Sequence, residues 1–393
     1  MKTDQFMLRA EGNRYYYLRR DLFLLCKDLL PKTPTYETLI SELEANGFTS
    51  KVRKFLAPPL EADLHLHSYH SDGQLSPKHL VWLGKIIGLN GMALVDHDNI
   101  SGLELFVNEG NNLGIQTWAG LELKTDIPGC EILLYIPQAE RFLTYLHRPI
   151  SERFRKVLIE RQKCAHEQTL FAKKQLNLLL KDLGKSDFIT DEEIGSWYSG
   201  IFPFYPGTLC VLFLKRLSVE EEGKLGVSTP RDINIRYLSP ILREWRKKTD
   251  NSVESTFSLL NEVKNAGLQT FAVLAHPIEL VRNAKLSIKE VEEFTLELAQ
   301  KYNLDGMEVN NSRDTLDDTV GWLKMMEKIN LKLTDTGRKL HAFSMSSDFH
   351  ILSPGEKGGN FTIGFGLLDE DHPNGNLHPV DTWAQLKNKL GIW

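Results

Sequence analysis

The chain has 393 residues, enough for one large or two ordinary domains, and its 41% hydrophobic and 25% charged residues are typical of a globular protein. Its formal net charge of −5 gives no electrostatic reason for tight binding to duplex nucleic acid or to an anionic membrane. The four cysteines are far apart and form no CxxC pair, which argues against a zinc knuckle or a disulfide framework and indicates a reducing compartment.

The N-terminal part, up to about residue 57, has the periodicity of amphipathic helices in the segments DLFLLCKDLL and YETLISELEANGF. It ends at Pro58 and Pro59, so we interpret residues 1–60 as a helical extension ahead of the main fold. The N-terminus has no apolar signal core, and no later apolar run approaches the roughly 18 to 20 residues needed to cross a bilayer. We therefore expect a cytoplasmic protein without a membrane partner.

After the two prolines, short apolar runs with polar ends alternate with helical patterns. Seven such runs occur: ADLHLH, MALVDH, QTWAGLEL, CEILLYI, TFAVLAH, DGMEVNN and HAFSMSSDFH. Strands that alternate with helices are typical of parallel βα units, and seven of them are enough to close a barrel. The helices have recognisable ends, such as Ser76 before and Gly91 after the first one. The sequence therefore predicts an α/β fold with a (β/α)7 barrel built from residues 61–137 and 251–393.

The alternation is interrupted between about residues 138 and 250. A long helical stretch, SERFRKVLIERQKCAHEQTLFAKKQLNLLLKDLG, is followed there by a mixed segment, which is too long for a loop and too helical for a barrel strand. We interpret residues 138–250 as an inserted, mostly helical subdomain over the carboxyl ends of the strands. Its basic residues, including Arg231, Arg236 and Arg243, either contact a second phosphate or an extended substrate, or form a solvated helical face.

Metal-capable side chains follow the same spacing in the first and the last apolar run. Side chains two residues apart in a strand point to the same side, so His65 and His67 project together at the end of ADLHLH. Asp348 and His350 repeat this spacing in the last run. Because the first and last strands of a closed barrel are neighbours, we expect the two pairs to lie side by side.

Further metal-capable side chains lie at the ends of three other runs. These residues are Asp96 and His97 in MALVDH, Glu122 in QTWAGLEL and His276 in TFAVLAH. Barrel enzymes build their active sites at the carboxyl ends of the strands. Each residue taken alone would be interpreted as a capping, rim or packing residue, but their convergence on one face favours a metal centre.

Asp63 and the other histidines do not lie at the end of an apolar run. Asp63 lies deeper in the first run, where we expect it to support the ligands from behind. Of the histidines without a strand-end position, His70 is the candidate for a role because it lies in the loop over the site. The rest are interpreted as surface or packing residues: His79, His147, His166, His341, His372 and His378.

The motifs HLHSYHSDG, LVDHDNISG, GLELK, LAHP, DGMEVNNS and SSDFH, in this order, resemble the PHP family, named for polymerase and histidinol phosphatase. The similarity covers about residues 61–137 and 268–367 and includes neither the extension nor the insertion. It implies a distorted seven-stranded βα barrel that binds two or three divalent metal ions, commonly zinc, manganese or iron.

The resemblance also implies three sets of ligands. The first set is His65, His67, Glu122 and Asp348, the second is Glu122 with His276, and the third is Asp72, His97 and His350. The family's second set normally includes a histidine on the next strand, where this chain has Glu131 in GCEILLYIP. A carboxylate binds the same metals but adds a negative charge, which bears on the choice of metal.

This cluster predicts a metal-dependent phosphoesterase in which a metal-activated hydroxide attacks a phosphate ester without a covalent protein nucleophile. Ser68 and Ser71 lie nearby but have no paired base in the sequence pattern, so a serine mechanism is disfavoured. The expected substrate is a phosphorylated small molecule, a nucleotide or the terminal phosphate ester of a short oligonucleotide. Two alternatives stay open: a histidinol-phosphate-type phosphatase, and a non-catalytic, metal-stabilised scaffold that binds a partner.

Overall fold

A computed structural model describes residues 14–49, 57–197, 206–242, 250–352 and 361–392. The N-terminal part forms two helices, α1 (Arg14–Leu29) and α2 (Tyr36–Ala45). Their buried side chains, among them Phe23 and Leu39, belong to the same hydrophobic core as the barrel helices. The extension is therefore helical where it is described, as predicted, and it packs onto the main fold.

Seven strands form one sheet in the order in which they occur along the chain. They are β1 (Ala62–Leu66), β2 (Gly91–Leu94), β3 (Gln116–Lys124), β4 (Glu131–Ile136), β5 (Phe271–Leu274), β6 (Gly306–Glu308) and β7 (His341–Phe343). The sheet curls until its ends meet: the Leu64 amide donates to the Met345 carbonyl at 2.7 Å, and the His67 amide donates to the Phe349 carbonyl at 3.1 Å. Each strand corresponds to one apolar run, and the predicted α/β fold with a seven-stranded barrel-like sheet is confirmed.

One strand departs from the predicted parallel pattern. Strand β4 pairs antiparallel with both β3 and β5, while the remaining neighbours pair in parallel. The physical reason is the short connection 125–130, since a parallel return requires a crossover of about a dozen residues or more. As a consequence, Glu131 at the start of β4 pairs with Lys124 at the end of β3 and lies at the carboxyl-end rim of the barrel.

Helices cover the outside of the sheet. They are α3 (Pro77–Ile87), α4 (Leu103–Leu113), α12 (Val253–Asn265), α13 (Ile278–Asn283), α14 (Ile288–Tyr302), α15 (Leu316–Leu333) and α16 (Trp383–Lys389). The predicted cap of α3 is confirmed, because the Ser76 hydroxyl accepts from the His79 amide. The helix stops shortly before Gly91: it ends at Ile87 and is capped by Gly88, which takes a φ of 93° that residues with a Cβ avoid, and Gly91 begins β2.

The segment between β4 and α12 is helical where it is described, in agreement with the sequence. Its helices are α5 (Ala139–Leu146), α6 (Glu152–Asp182), α7 (Asp191–Trp197), α8 (Pro206–Leu214), α9 (Val219–Leu225), α10 (Pro230–Ile233) and α11 (Ser239–Leu242). Phe154 and Leu158 of α6 pack into the barrel core, whereas Leu176 and Leu180 belong to a separate cluster with residues of α8 to α11. The long helix α6 thus connects the barrel to a second hydrophobic cluster. In the part of the chain that is described, no helix combines the length and the apolar character that a membrane crossing requires.

Candidate metal centre

The two histidine–carboxylate pairs from the first and last runs meet at the carboxyl-end rim. The Nε2 atoms of His65 and His67 lie 3.1 Å apart, and both rings are fully buried. Each of these nitrogens lies 3.2 Å from Oε2 of Glu122 and 3.4 Å from Oδ1 of Asp348. Alternation in β1 turns both imidazoles toward the same side, as expected, and the curl of the sheet brings Asp348 to them.

Asp72, in the loop after β1, lies between two further imidazoles. Its Oδ2 is 3.3 Å from Nε2 of His97, and its Oδ1 is 3.2 Å from Nε2 of His350. The His350 ring is stacked on that of His67, with 4.3 Å between the ring centroids. Asp72 thus joins the loops after β1 and β2 and the segment after β7 into one group of donor atoms.

Glu122 connects the groups, and Glu131 extends them. Oε1 of Glu122 is 2.9 Å from Nε2 of His276, and its Oε2 is 3.2 Å from Nδ1 of His97. Oε2 of Glu131 is 3.2 Å from the same His276 nitrogen. Because β4 is antiparallel, the Glu131 carboxylate reaches the rim from the beginning of its strand.

All nine residues proposed from the sequence as ligands therefore converge on one rim. Their donor atoms form four groups, in each of which the atoms lie within 4.8 Å of one another: His67, Asp72, His97 and His350; His65, His67 and Asp348; His65, Glu122 and His276; and His97, Glu122 and Glu131. Imidazole nitrogens and carboxylate oxygens suit zinc, iron and manganese. The donor set therefore fits divalent metal ions.

The electrostatics of the centre follow from burial and from the alternation of acids and imidazoles. Burial alone would lower the pKa of His65, but the carboxylates of Glu308 and Glu122 outweigh it and raise that pKa to about 10. Burial and the neighbouring His350 lower the pKa of His67 to about 3. Burial opposes ionisation of Glu122, yet His65 and His97 hold the pKa of its carboxyl well below the usual range. The centre thus presents anionic oxygens next to imidazole nitrogens.

Strained backbone is concentrated around the centre. Asp98, His276 and Asp348 have positive φ values of 48°, 22° and 52°. Such conformations cost roughly 1 to 3 kcal/mol each and persist where the surrounding structure enforces them. A close approach also fixes Gly73, because a Cβ on this residue would lie 2.1 Å from the His67 carbonyl oxygen. The loop after β1 therefore requires glycine at this position.

Asp63 supports the site through the backbone. Its carboxylate accepts from the amides of Ser347 at 3.1 Å and Gly364 at 2.7 Å, and burial raises its pKa to about 6. It contacts the backbone amide of His65 at 3.4 Å. The expected supporting role thus takes the form of holding β1 against two neighbouring segments.

Asp96 and the two serines form a hydrogen-bonded group next to the candidate ligands. The hydroxyls of Ser68 and Ser71 each donate to the Asp96 carboxylate at 2.6 Å, and all three side chains are buried. Both hydroxyls thus use their donor hydrogens on the buried Asp96 carboxylate. The ring of His70 packs on Tyr69, with centroids 4.8 Å apart, and belongs to none of the four donor groups found among the described residues.

Two residues at the centre were not singled out from the sequence. Glu308, fully buried at the end of β6, places Oε1 at 2.9 Å from Nδ1 of His65 and accepts from the His276 amide at 2.7 Å. It lies inside the run DGMEVNN, where β6 ends, and an acidic residue within that run was the signal that could have identified it. Arg313, in the loop after β6, contacts the Asp348 carboxylate through its guanidinium. No strand-end position marks Arg313 in the sequence.

The basic residues proposed in the insertion have different surroundings. Nη1 of Arg231 lies 3.0 Å from Oε1 of Glu279, in the helix that follows His276. The guanidinium of Arg236 lies against Gly226 within the insertion. Arg243 is outside the described residues. Arg231 therefore connects the insertion to the rim of the barrel.

A seven-stranded curled sheet with these donor groups at one rim defines an α/β barrel-like protein with a candidate metal centre. Residues 63–189 match the PHP domain family. The resemblance predicted from the motifs is therefore confirmed for this part of the chain.

Two curated relatives and one solved structure are similar to parts of the chain. A 5'-3' exoribonuclease of Haemophilus influenzae is 42% identical over 67 residues, which is 17% of this chain and 24% of that protein. An error-prone DNA polymerase of Cutibacterium acnes is 38% identical over 69 residues, 17% of this chain and 6% of the polymerase. A Bifidobacterium adolescentis protein described as a metal-dependent phosphoesterase aligns with 80% of this chain and 95% of its own, with a TM-score of 0.52 and 18% identity. The curated relatives share only a minor part of their length with this chain, and the solved structure supports the fold.

Proposed function

We propose that the protein is a metal-dependent hydrolase of phosphate esters. The observation that carries the proposal is the convergence of five imidazoles and four carboxylates at the carboxyl-end rim of the barrel. When bound there, two or three divalent ions would lower the pKa of water toward neutrality and offset negative charge on phosphoryl oxygens. The nine donor residues would hold these ions in the three sets expected from the sequence, with Glu131 in the second set.

The chain's own residues supply the remaining requirements. Glu308 holds the ring of His65 from behind, so that Nε2 faces the centre. Glu122 faces four imidazoles at once, which suits a bridging carboxylate. Arg313 places a permanent positive charge at the rim beside Asp348, where a planar guanidinium suits a phosphoryl group.

The surroundings of the rim and the relatives support a proposal for the substrate class. The insertion contacts the rim at Glu279, and Tyr69 of the loop over the centre packs against the insertion cluster. The insertion thus lies against segments that surround the centre, and an exoribonuclease is among the relatives. We infer a phosphomonoester or the terminal phosphate ester of a nucleotide or short oligonucleotide as substrate, and we retain the expectation of a cytoplasmic location.

Two other functions remain to be separated by experiment. A histidinol-phosphate-type phosphatase needs little beyond a barrel, whereas in this chain the second half of α6 and residues from α7 to α11 form a separate cluster. A non-catalytic scaffold would bind metal without turnover. Glu131 in place of the family's histidine is the feature that keeps this second alternative open.

The experiment is a screen of phosphate release. Purified protein would be tested with manganese, zinc or iron against phosphorylated metabolites including histidinol phosphate, nucleotides and short oligonucleotides. We expect turnover of at least one substrate, and loss of bound metal and of turnover together in His67→Ala and Asp348→Ala. His372→Ala, whose side chain is 43% exposed, is the matched control and should behave as wild type. Metal binding without turnover of any of these esters would favour the scaffold.

A further inference from the structure

Helix α6 of the insertion carries a buried arginine whose side chain reaches the barrel. Arg161 is 4% exposed and lies on the face of the helix that also carries Leu158 and Ala165. Burial of a guanidinium is costly unless it is paired and hydrogen-bonded. The hydrogen-bond partners of Arg161 therefore indicate which segments its side chain stabilises.

Those partners belong to the segments that carry the candidate ligands. Nη1 of Arg161 donates to Oδ1 of Asp98 at 3.0 Å and approaches the Lys124 carbonyl at 3.4 Å. Nη2 donates to the Asp250 carbonyl at 3.0 Å and to the Thr256 hydroxyl at 3.2 Å. One side chain thus links the residue after His97, the strand of Glu122 and the beginning of α12.

The next residue of the helix strengthens the same connection. The Gln162 side-chain amide donates to the backbone carbonyl of Asp98 at 2.9 Å. Asp98 is therefore held by α6 at both its carboxylate and its carbonyl group. Its own amide donates to the Glu122 carbonyl at 3.0 Å, which fixes the third polar group of the residue.

Asp98 needs such support because of its conformation. Its φ of 48° lies in the left-handed region, which is unfavourable for a residue with a Cβ. The residue immediately before it is His97, whose ring nitrogens lie 3.2 Å from Glu122 and 3.3 Å from Asp72. The direction in which the chain leaves His97 therefore determines where the imidazole points.

We propose that Arg161 is a positioning residue for the metal centre: inserted helix α6 fixes His97 through the Arg161–Asp98 pair. The inference rests on the proposed metal centre. It assigns the insertion the role of holding a ligand of the Asp72, His97 and His350 group in place. Replacing Arg161 is therefore expected to impair metal binding, although helix α6 contributes none of the candidate ligands.

The test measures Mn²⁺ binding by the full-length protein, using electron paramagnetic resonance to count bound and free ions. His350→Ala first identifies the binding step that belongs to the Asp72, His97 and His350 group. Arg161→Met should weaken that same step by about 10- to 100-fold, as is typical when a residue that orients a ligand is lost. The Mn²⁺ binding steps that are still observed in His350→Ala should have the same affinity in Arg161→Met as in wild type.

Three further variants separate positioning from folding. Arg153→Met removes a 62% exposed arginine of the same helix and should bind Mn²⁺ as wild type does. Arg161→Lys retains the charge toward Asp98 and should restore part of the affinity. Asp98→Asn removes the negative charge of the pair. The double variant with Arg161→Met should bind Mn²⁺ only slightly more weakly than either single variant.

The outcomes distinguish this proposal from the proposed function. Wild-type protein that binds no Mn²⁺, Zn²⁺ or Fe²⁺ would contradict the metal centre itself. Wild-type protein that binds Mn²⁺, together with an Arg161→Met variant that loses thermal stability but retains every binding step, would overturn only the positioning role. If Arg161→Met does not fold, wild-type Mn²⁺ affinity in both Arg161→Lys and Asp98→Asn would overturn it equally.

Discussion

Oε1 of Glu308 lies 2.9 Å from Nδ1 of His65, on the side of the ring that faces away from Glu122 and Asp348. The same carboxylate accepts from the His276 amide through its other oxygen. Both oxygens of Glu308 are therefore occupied as acceptors, and its position orients two candidate ligands at once. Such an arrangement is common behind metal-bound histidines, where it fixes the ring and the tautomer.

Replacement of Glu308 by glutamine should weaken metal binding. The amide has only one acceptor oxygen, so either the His65 ring or the His276 backbone loses its partner. We expect about a 10- to 100-fold lower metal affinity, with the fold retained. The measurement is a Zn²⁺ or Mn²⁺ titration of Glu308→Gln, with circular dichroism as the control for folding. Unchanged affinity would mean that Glu308 does not orient His65.

Replacement of Glu131 tests the departure from the family's pattern. Glu131→His keeps a donor atom near His276 and removes a negative charge, whereas Glu131→Ala removes the donor. We expect Glu131→His to shift preference toward zinc over manganese, because imidazole suits zinc and carboxylate suits manganese.

The Glu131 experiment is a competition between the two metals, with the exposed residue Glu140 replaced by alanine as the control. Glu131→Ala should bind one metal ion fewer than wild type or bind it at least about 10-fold more weakly. Equal metal content and equal preference in all variants would remove Glu131 from the second ligand set.

The loop after β6 provides a test that depends on pH. Asp314 accepts from the Asn311 amide and the Trp322 indole, but burial outweighs these bonds and raises the pKa of its carboxyl from 3.8 to about 6. A raised pKa means that the folded protein retains this proton where the unfolded chain has lost it. The contribution of Asp314 to the free energy of unfolding therefore decreases as the pH rises from about 4 to about 6 and stays low above that range.

Asp314→Asn carries no such ionisation and isolates this effect. The free energy of unfolding of the variant, relative to wild type, should increase by up to about 3 kcal/mol between pH 4 and pH 7.5. Urea unfolding in the presence of a chelator measures this difference without interference from metal release. A difference between variant and wild type that is the same at both pH values would contradict a burial-raised pKa.

The sequence predicted the seven strands because each is a short apolar run between turn or helix signals. It predicted the candidate ligands because most of them end such runs, where barrel topology brings them together. It did not predict the antiparallel direction of β4, since an apolar run has the same composition in either direction. The short connection 125–130 was the available signal, and it also explains how Glu131 reaches the rim.

The parts of the centre that were missed are long-range contacts. Glu308 lies at the end of β6, but it stands inside the run DGMEVNN rather than at the end of that run, so the run did not mark it. The contact between Arg161 and Asp98 joins residues 63 positions apart and depends on how a 31-residue helix lies against the barrel. Neither periodicity nor spacing encodes such a placement.

The central claim is that the converging imidazoles and carboxylates hold metals that the protein needs for hydrolysis of phosphate esters. The most direct measurement compares phosphate release by purified protein, by the same protein after chelator treatment, and after return of Mn²⁺, Zn²⁺ or Fe²⁺. The account predicts that turnover disappears with the metals and returns with at least one of them, in proportion to the ions bound per chain. Full turnover by protein shown to contain no metal would contradict it.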